Sequence, residues 1–257
     1  MAIHPTAIID PRAEVDPEVE IGPYVVIDGL ARIQRGTRIM AHAVVTGWTE
    51  IGEDNEIHPG AILGDAPQDK AYRGEESYLK IARHNVFREY VQVHRGTAAG
   101  SSTVIGNGNY LMAGAHVGHN CRLGDHIVLA NGALLGGYVE VGDHAFISGN
   151  CVVHQFVRVG EFSLMRGLSG ASRDVPPYAI VDWQHRVRGV NIVGLRRAGF
   201  DGAAIREIKE AFRILFRKHR NLSLAIREIE SNGKVSPEVT TLLEFIKGSK
   251  RGVCVGC

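Results

Sequence analysis

Aliphatic residues recur along most of this chain at every sixth position, a period that neither an α-helix nor an alternating β-strand produces. The series runs unbroken from Ile3 to Leu63, resumes between Ile81 and Val93, and continues from Ile105 to Val159, giving twenty-four hexads. Four positions after each aliphatic stands a mostly small or β-branched residue. A fixed internal period of this kind is the signature of a repeat architecture.

Six residues per side and three sides per turn give an 18-residue coil. The pattern therefore predicts an all-β left-handed parallel β-helix over residues 1–182, with about eight coils stacked over roughly 38 Å. Each inward aliphatic contributes about 1.5 to 3 kcal/mol when buried. Such a prism is convex and has no deep pocket, so we expect prisms to pack side by side as a homotrimer and to form sites between them.

Two segments interrupt the repeat, at residues 64–80 and 98–104. We interpret both as loops that leave the prism. Loops on a rigid scaffold are where binding residues collect, although an insertion without a role is the plain alternative. The charged and aromatic content of the first loop favours a binding role.

Residues 183–257 change to helical periodicity, which predicts a small C-terminal α-helical domain of two or three short helices. Ser236, Pro237 and Glu238 are a typical helix start. This domain is basic, with 15 Lys and Arg against 7 Asp and Glu, whereas residues 1–182 carry 14 against 21. A basic surface suits an acidic macromolecule; a solvated helix face is the alternative. No aromatic residues alternate with its arginines for base stacking, so we predict no nucleic acid partner.

The chain offers no stretch of about 18 apolar residues, so we predict no stable membrane insertion. Its N-terminus, MAIHPTAIID, has neither a basic leader nor an apolar run, and this predicts a cytoplasmic location. Cys254 and Cys257 form a single CxxC in the last four residues. Because zinc sites of this type need a second ligand pair, we interpret the segment as a frayed tail.

Residues 18 apart stack on successive coils, so His119, Gly137 and Gln155 form one column. His154 stands in the column beside it, and His116 lies on the same coil as His119. This spacing puts a base beside a possible oxyanion donor. Ordinary polar corner residues are the alternative. A zinc site built from three histidines, as in γ-class carbonic anhydrases, is disfavoured because no imidazole stands above His119, and we predict neither metal nor cofactor.

Several motifs resemble one family in combination. These are PQD at 67–69, HRGT at 94–97, LMAGAHVGHNC at 111–121, VHQF at 153–156, DVPPY at 174–178 and GVNIVGLRRAGF at 189–200. Together they resemble the UDP-N-acetylglucosamine acyltransferases that begin lipid A synthesis, and the resemblance covers essentially the whole chain. It implies transfer of a 3-hydroxyacyl chain from acyl carrier protein to the 3-position of a UDP-amino sugar.

Position by position, the resemblance implies His119 as the general base and the Gly137 N–H as the oxyanion donor. The other implied roles are sugar contacts, closure over the nucleotide sugar, uridine and diphosphate contacts, and the acyl groove. The sugar contacts are His116, His154 and Gln155, and the residues that close over the nucleotide sugar are Gln68 and Asp69. The uridine and diphosphate contacts are Asn191 and Arg197, and the acyl groove contains Gly167 and His185. A glycine at position 167 leaves space, which favours a longer acyl chain.

The chain also departs from the family pattern. Asn120 stands where better-known members have an aspartate next to the catalytic histidine, and an amide cannot stabilise imidazolium by charge. Tyr138 replaces a histidine, Ala71 a lysine, and Val193 and Ala198 replace polar residues. A His-Asn pair also occurs in the related N-acyltransferase, so the 3-amino analogue of the sugar is an alternative acceptor. An acetyl-CoA-dependent acetyltransferase and a non-catalytic scaffold are further alternatives.

Overall fold

A computed structural model describes residues 2–218, 221–231, 233 and 235–256. The chain forms the predicted left-handed parallel β-helix, whose short strands fall into three sheets. Sheet 1 contains Ala2–Ile3, Glu20–Ile21, Arg38–Ile39, Glu56–Ile57, Val86–Phe87, Tyr110–Leu111, Val128–Leu129, Phe146–Ile147, Leu164–Met165, Ala179–Asp182 and Arg186–Val190. Sheet 2 contains Ile8–Ile9, Val26–Ile27, Val44–Val45, Ile62–Asp65, Gln92–His94, His116–Val117, Leu134–Leu135, Val152–Val153 and Gly170–Ala171. Sheet 3 contains Glu14–Val15, Arg32–Ile33, Trp48–Ile51, Tyr78–Ile81, Ser102–Ile105, Arg122–Leu123, Glu140–Val141 and Arg158–Val159.

The aliphatic of each hexad points into the prism and forms its core. From Ile21 to Val159 these side chains are buried, together with the small residues between them, such as Cys121 and Cys151. Ile3 is 39% exposed. The first coil is covered by a neighbouring coil on one side only, which explains this exposure. The hydrophobic column therefore holds the coils in register.

The two insertions lengthen the chain without disturbing this register. Ile51 pairs with Ile81, thirty residues later, and Ile81 pairs with Ile105, twenty-four residues later. The insertions thus add twelve and six residues to an 18-residue coil. Because both are multiples of six, every aliphatic after them still faces inward, and the strands on either side stack directly.

The repeat continues beyond the last predicted hexad. Met165 and Ala171 keep the six-residue phase and are buried. The final strand of the prism, Ala179–Asp182, then pairs antiparallel with Arg186–Val190. The predicted domain boundary after residue 182 falls between the two strands of this hairpin, so the sheet structure extends to Val190.

The C-terminal helices are α1 (Ile192–Arg197), α2 (Gly202–Arg213), α3 (Leu222–Ser231) and α4 (Pro237–Lys247), and a π-helical turn, Ile214–Lys218, follows α2. The described residues contain four helices rather than two or three. The short α1 was missed because its six residues are fewer than two full turns. Ser236 caps α4 as predicted, its hydroxyl accepting a hydrogen bond from the Val239 N–H. None of the described helices is long and apolar enough to cross a membrane.

The prediction of a frayed C-terminal tail is wrong. Val253 and Val255 form β-bridges with Asp174 and Arg186, and the Cys254 N–H donates to the Asp174 carbonyl at 2.8 Å. Cys254 is fully buried, and burial raises the pKa of its thiol to about 12. Val253 and Cys254 are thus buried against the end of the prism, while Val255 is held there by its backbone bridge. Cys257, the other half of the CxxC, lies outside the described residues.

Candidate functional site

His119 stands at a corner of the prism, between strands His116–Val117 and Arg122–Leu123. Gly137 lies directly over its ring on the next coil. A methyl group built on Gly137 would stand only 2.5 Å from His119 Nε2, so this corner accepts glycine alone while the ring keeps its position. Among the described hydrogen bonds, none uses the Gly137 N–H as donor. The column inferred from the sequence therefore brings an imidazole next to an available backbone donor.

Contacts on the far side of the ring determine which nitrogen carries the proton. His119 Nδ1 lies 3.0 Å from Asn120 Oδ1 and 2.7 Å from the Thr97 hydroxyl. The Thr97 N–H also donates to Asn120 Oδ1, at 3.0 Å, which identifies that atom as the amide oxygen. An amide oxygen only accepts, so the proton of the neutral ring is on Nδ1. Nε2, which lies beside the Gly137 corner, is then unprotonated, as a general base requires.

The first insertion reaches back to this corner. The Asp69 carboxylate lies 3.8 Å from His119 Nε2, and Gln68 lines the same cleft. Arg95 holds the insertion in position: its guanidinium donates to the Gly64 carbonyl at 2.8 Å and to the Tyr72 hydroxyl at 2.7 Å. These two bonds join the prism to both ends of the segment that carries Gln68 and Asp69.

Two further histidines lie on the floor of the cleft. His94 Nδ1 donates to the Ala66 carbonyl at 2.7 Å, and the described residues offer its buried Nε2 no partner. The ring centroids of His94 and His116 are 5.1 Å apart. Burial, and secondarily the neighbouring His94, lower the pKa of His116 to about 4. His116 is therefore uncharged near neutral pH and serves as a hydrogen-bonding group.

These residues line a cleft of about 390 Å³ on one face of the prism. Its lining includes the predicted base His119, the predicted oxyanion donor Gly137, the three predicted sugar contacts His116, His154 and Gln155, and Gln68 of the predicted closing loop. Tyr138, in the place of the family histidine, meets the His119 ring edge-on at 5.3 Å and stacks on Phe156. The cleft thus combines a base, a backbone donor and several polar side chains on a rigid surface.

Other predicted residues lie outside this cleft. Asn191 is buried and caps α1: its Oδ1 accepts from the Gly194 N–H, and its Nδ2 donates to the Phe162 carbonyl. Arg197 ends the same helix and is exposed. Gly167 stands at a corner near Gly149, and His185 contacts the Ser172 hydroxyl at 3.0 Å. Within one chain, the structure therefore brings together the candidate sugar contacts but not the candidate nucleotide and acyl contacts.

Sequence reasoning missed four residues that shape the site. Thr97, Arg95 and His94 belong to the HRGT motif, which was noted only for its resemblance. Since the motif follows a strand of the repeat and faces the first insertion, its position could have suggested their role. Arg251 contacts His154 and Gln155 from the C-terminal segment, ninety-six and more residues away, and no local pattern indicates this.

A larger cavity, about 930 Å³, opens between the hairpin Ala179–Val190 and helix α2. Apolar side chains form part of its lining, and cationic side chains stand around it. The apolar group includes Val187, Phe212 and Phe216, and the cationic group includes Arg206, Lys209, Arg213 and Arg217. This groove combines an apolar surface with the positive charge predicted for the C-terminal domain.

A three-sided β-helix that carries a base beside a backbone donor defines a transferase of the hexapeptide-repeat class. Residues 102–137 match the bacterial transferase hexapeptide model, and residues 174–254 match the second domain of UDP-N-acetylglucosamine O-acyltransferase. The chain belongs to the acyl-[acyl-carrier-protein]–UDP-N-acetylglucosamine O-acyltransferase family. The match to the second model covers the helical region as well as the end of the prism.

Similar proteins support this membership over the full length. The chain is 44% identical to the O-acyltransferases of Syntrophobacter fumaroxidans and Thermodesulfovibrio yellowstonii, with 98% of this chain covered in each case and 99% and 98% of the relatives. The UDP-N-acetylglucosamine acyltransferase structure from Bacteroides fragilis superposes with a TM-score of 0.93 at 39% identity, covering 98% of this chain and 99% of that one. The resemblance predicted from the motifs is confirmed.

Proposed function

We propose that this protein transfers a 3-hydroxyacyl chain from acyl carrier protein to the 3-hydroxyl of UDP-N-acetylglucosamine, the first acylation of lipid A synthesis. One observation carries the proposal: the unprotonated Nε2 of His119 and the Gly137 corner directly above it line one cleft together with several polar side chains. Family membership supports the choice of donor and acceptor. The names of the curated relatives do not favour an acetyl-CoA-dependent enzyme or a scaffold.

The proposed reaction uses one base and one backbone donor. His119 Nε2 removes the proton of the sugar 3-hydroxyl as that oxygen attacks the thioester carbonyl. The Gly137 N–H donates a hydrogen bond to the resulting oxyanion, a role that contributes about 2.7 to 4 kcal/mol in comparable sites. The intermediate then collapses, the carbon–sulfur bond breaks, and the departing thiolate takes the proton from the imidazolium. General-base action of this kind contributes about 10²- to 10⁴-fold.

The imidazolium that forms in this reaction lacks a charged partner on its Nδ1 side, because Asn120 is neutral. Asp69, 3.8 Å from Nε2, supplies a carboxylate on the other side of the ring. Coulomb attraction at this distance stabilises the positive charge that the ring acquires during the reaction. We propose that Asp69 offsets part of the loss caused by Asn120, in addition to contacting the sugar with Gln68.

The basic groove beside α2 is our candidate docking surface for acyl carrier protein. Acyl carrier protein presents an acidic helix, and the cations around the groove complement it. Lys209→Glu should raise the KM for the acyl donor several-fold with little change in the KM for the sugar. Association with the wild-type protein should weaken as the salt concentration rises.

We also propose that the active form is a homotrimer. The candidate uridine and diphosphate contacts, Asn191 and Arg197, lie outside the cleft of their own chain, so a neighbouring prism would have to supply them. Exposed apolar residues near the cleft support such packing; they are Leu134, Val152, Phe156 and Leu168. A cytoplasmic location remains a prediction.

A direct test is to incubate the purified protein with 3-hydroxyacyl carrier proteins and UDP-N-acetylglucosamine and to identify the product by mass spectrometry. His119→Ala should lower the rate at least a hundredfold while leaving the melting temperature and the assembly state unchanged. Absence of acylated sugar with every donor length would contradict the proposal. A series of acyl lengths in the same assay tests whether Gly167 and His185 accommodate a long chain.

Asn120 favours one second candidate, N-acylation of the 3-amino analogue of the sugar. A neutral amine attacks without prior deprotonation, so it needs less help from the base than a hydroxyl does. Competition between the two UDP-sugars in a single turnover separates the candidates. Strict preference for the 3-hydroxy sugar would eliminate the amino acceptor.

A further inference from the structure

The C-terminal segment runs back across the end of the prism and is fixed there by its backbone. Beyond the bridges already described, the Val187 N–H donates to the Val255 carbonyl at 2.8 Å, and the Asp174 N–H donates to the Gly252 carbonyl at 3.0 Å. Cys254 anchors the segment in the core. The position of Arg251 is therefore determined by contacts that do not depend on its own side chain.

All three nitrogen atoms of the Arg251 guanidinium contact the prism. Nη1 donates to the Gln155 carbonyl at 2.5 Å, Nε donates to the Ser172 carbonyl at 3.2 Å, and Nη2 lies 3.3 Å from His154 Nδ1. A planar guanidinium with rigid donors holds such partners in one geometry, which a flexible ammonium cannot do. His154 and Gln155 line the cleft beside His119.

These contacts also select one form of the His154 ring. A guanidinium has no acceptor, so in this contact Nδ1 of His154 must accept and the ring proton must be on Nε2. The Gln155 carbonyl, 3.2 Å from the same Nδ1, has a second lone pair that could accept from the opposite tautomer, so the Arg251 contact is the one that selects the Nε2–H form. His154 then presents an Nε2–H donor, suited to a sugar oxygen.

We propose that Arg251 is a positioning residue of the acceptor site: it holds His154 in the Nε2–H form and fixes the Gln155 backbone at the wall of the cleft. Arg251 itself touches no reacting atom. The inference rests on the proposed function, because it concerns the recognition of the UDP-sugar.

The test compares Arg251→Met with Lys250→Met, which removes a cation from the neighbouring exposed position. Arg251→Met should raise the KM for UDP-N-acetylglucosamine about tenfold, in keeping with the loss of one charge-assisted hydrogen bond. The KM for the acyl donor and the melting temperature should stay close to wild type. Lys250→Met should leave both KM values unchanged, and Arg251→Lys should restore only part of the loss.

A double-mutant cycle separates positioning from simple fastening of the tail. In a His154→Ala background, Arg251→Met should raise the KM for the UDP-sugar by clearly less than tenfold, because only its hold on the Gln155 backbone remains to be lost. A full tenfold rise in the KM for the UDP-sugar in that background would overturn the proposal. Equal increases in both KM values together with a lower melting temperature would also overturn it.

If the proposed function itself is wrong, the assays will give a different result. In that case the wild-type protein would transfer no acyl group, whatever residue stands at position 251. Calorimetric binding of UDP-N-acetylglucosamine to the wild-type and Arg251→Met proteins then gives the same comparison without turnover. Should Arg251→Met fail to fold, Arg251→Lys is measured in its place, and unchanged affinity for the UDP-sugar would refute the role.

Discussion

Gly137 allows a sharp test of the site, because its backbone conformation is compatible with alanine while the His119 ring leaves no room for a side chain. Its φ lies outside the left-handed region, so a side chain causes no backbone strain. The added Cβ would stand 2.5 Å from His119 Nε2 and 2.6 Å from Cε1. Carbon contacts are comfortable at about 3.5 to 4 Å, so the ring must retreat by about 1 Å. This movement would disturb the bonds that hold Nδ1 to Asn120 and Thr97.

A misplacement of about 1 Å in a catalytic group can cost about a hundredfold in rate. Gly137→Ala should therefore lower kcat about a hundredfold in a steady-state acyl transfer assay, with both KM values within about threefold of wild type. Because the atoms nearest to the added Cβ all belong to the His119 ring, the melting temperature should change by only a few degrees.

Gly149→Ala is the matched control. Its added Cβ would meet a single atom, the Asn131 carbonyl oxygen, at 3.4 Å, and its φ also allows alanine. This variant should keep nearly full activity. Retention of more than a third of wild-type kcat by Gly137→Ala would refute the steric argument. An equal loss of kcat in Gly149→Ala would instead indicate that alanine at any corner of the prism lowers activity.

Three other outcomes can be tested with similar means. Asn120→Asp keeps an oxygen that accepts from the Thr97 N–H and adds a negative charge beside the His119 ring, so kcat with the 3-hydroxy sugar should rise about threefold to tenfold. A fall in kcat would contradict the proposed formation of an imidazolium during the reaction. Arg95→Met removes the bonds to Gly64 and Tyr72, so the KM for the UDP-sugar should rise and proteases should cleave within residues 66–77 faster. An unchanged cleavage rate would show that Arg95 does not hold the first insertion in place. The pKa of His116 is lowered to about 4 by burial and by the neighbouring His94, so the unfolded chain binds the proton more tightly. Stability should fall as the pH drops from about 6.5 toward 4 and stay constant above that range. His116→Gln should reduce this dependence in melting experiments between pH 4.5 and 7, and an identical slope would refute it.

The prism could be predicted from sequence because its determinant is local and periodic. One aliphatic in six carries the core, and the two insertions preserve the phase, so the pattern survives both interruptions. The series of predicted hexads ended at Val159, although the β-helix was predicted to residue 182, because the next inward residues are Met165 and Ala171, which are less typical of the pattern. The C-terminal tail was misread for a different reason: its short apolar segment has no period, and its position depends on bridges to the distant Asp174 and Arg186.

The site was predictable only where the repeat itself fixes the neighbours. Eighteen-residue spacing brings Gly137 next to His119, and the structure has this contact. Contacts made by residues off the repeat follow no such rule. Arg95 contacts Tyr72 of the first insertion, and Arg251 of the C-terminal segment contacts His154 of the prism. Such side chains are located by the packing of whole segments, which local spacing does not encode.

The position of Asp69 gives the departure at Asn120 a physical interpretation. In a site where the histidine has an aspartate on Nδ1, the charge that stabilises imidazolium is built into the rigid corner. Here that corner supplies only an amide, and the nearest carboxylate comes from the insertion, 3.8 Å from Nε2. Stabilisation of the charged ring would then depend on whether the insertion is held in place, which is the role of Arg95. Loss of Arg95 should consequently lower kcat as well as raise the KM for the sugar, and Asn120→Asp should relieve the effect on kcat but not the effect on KM.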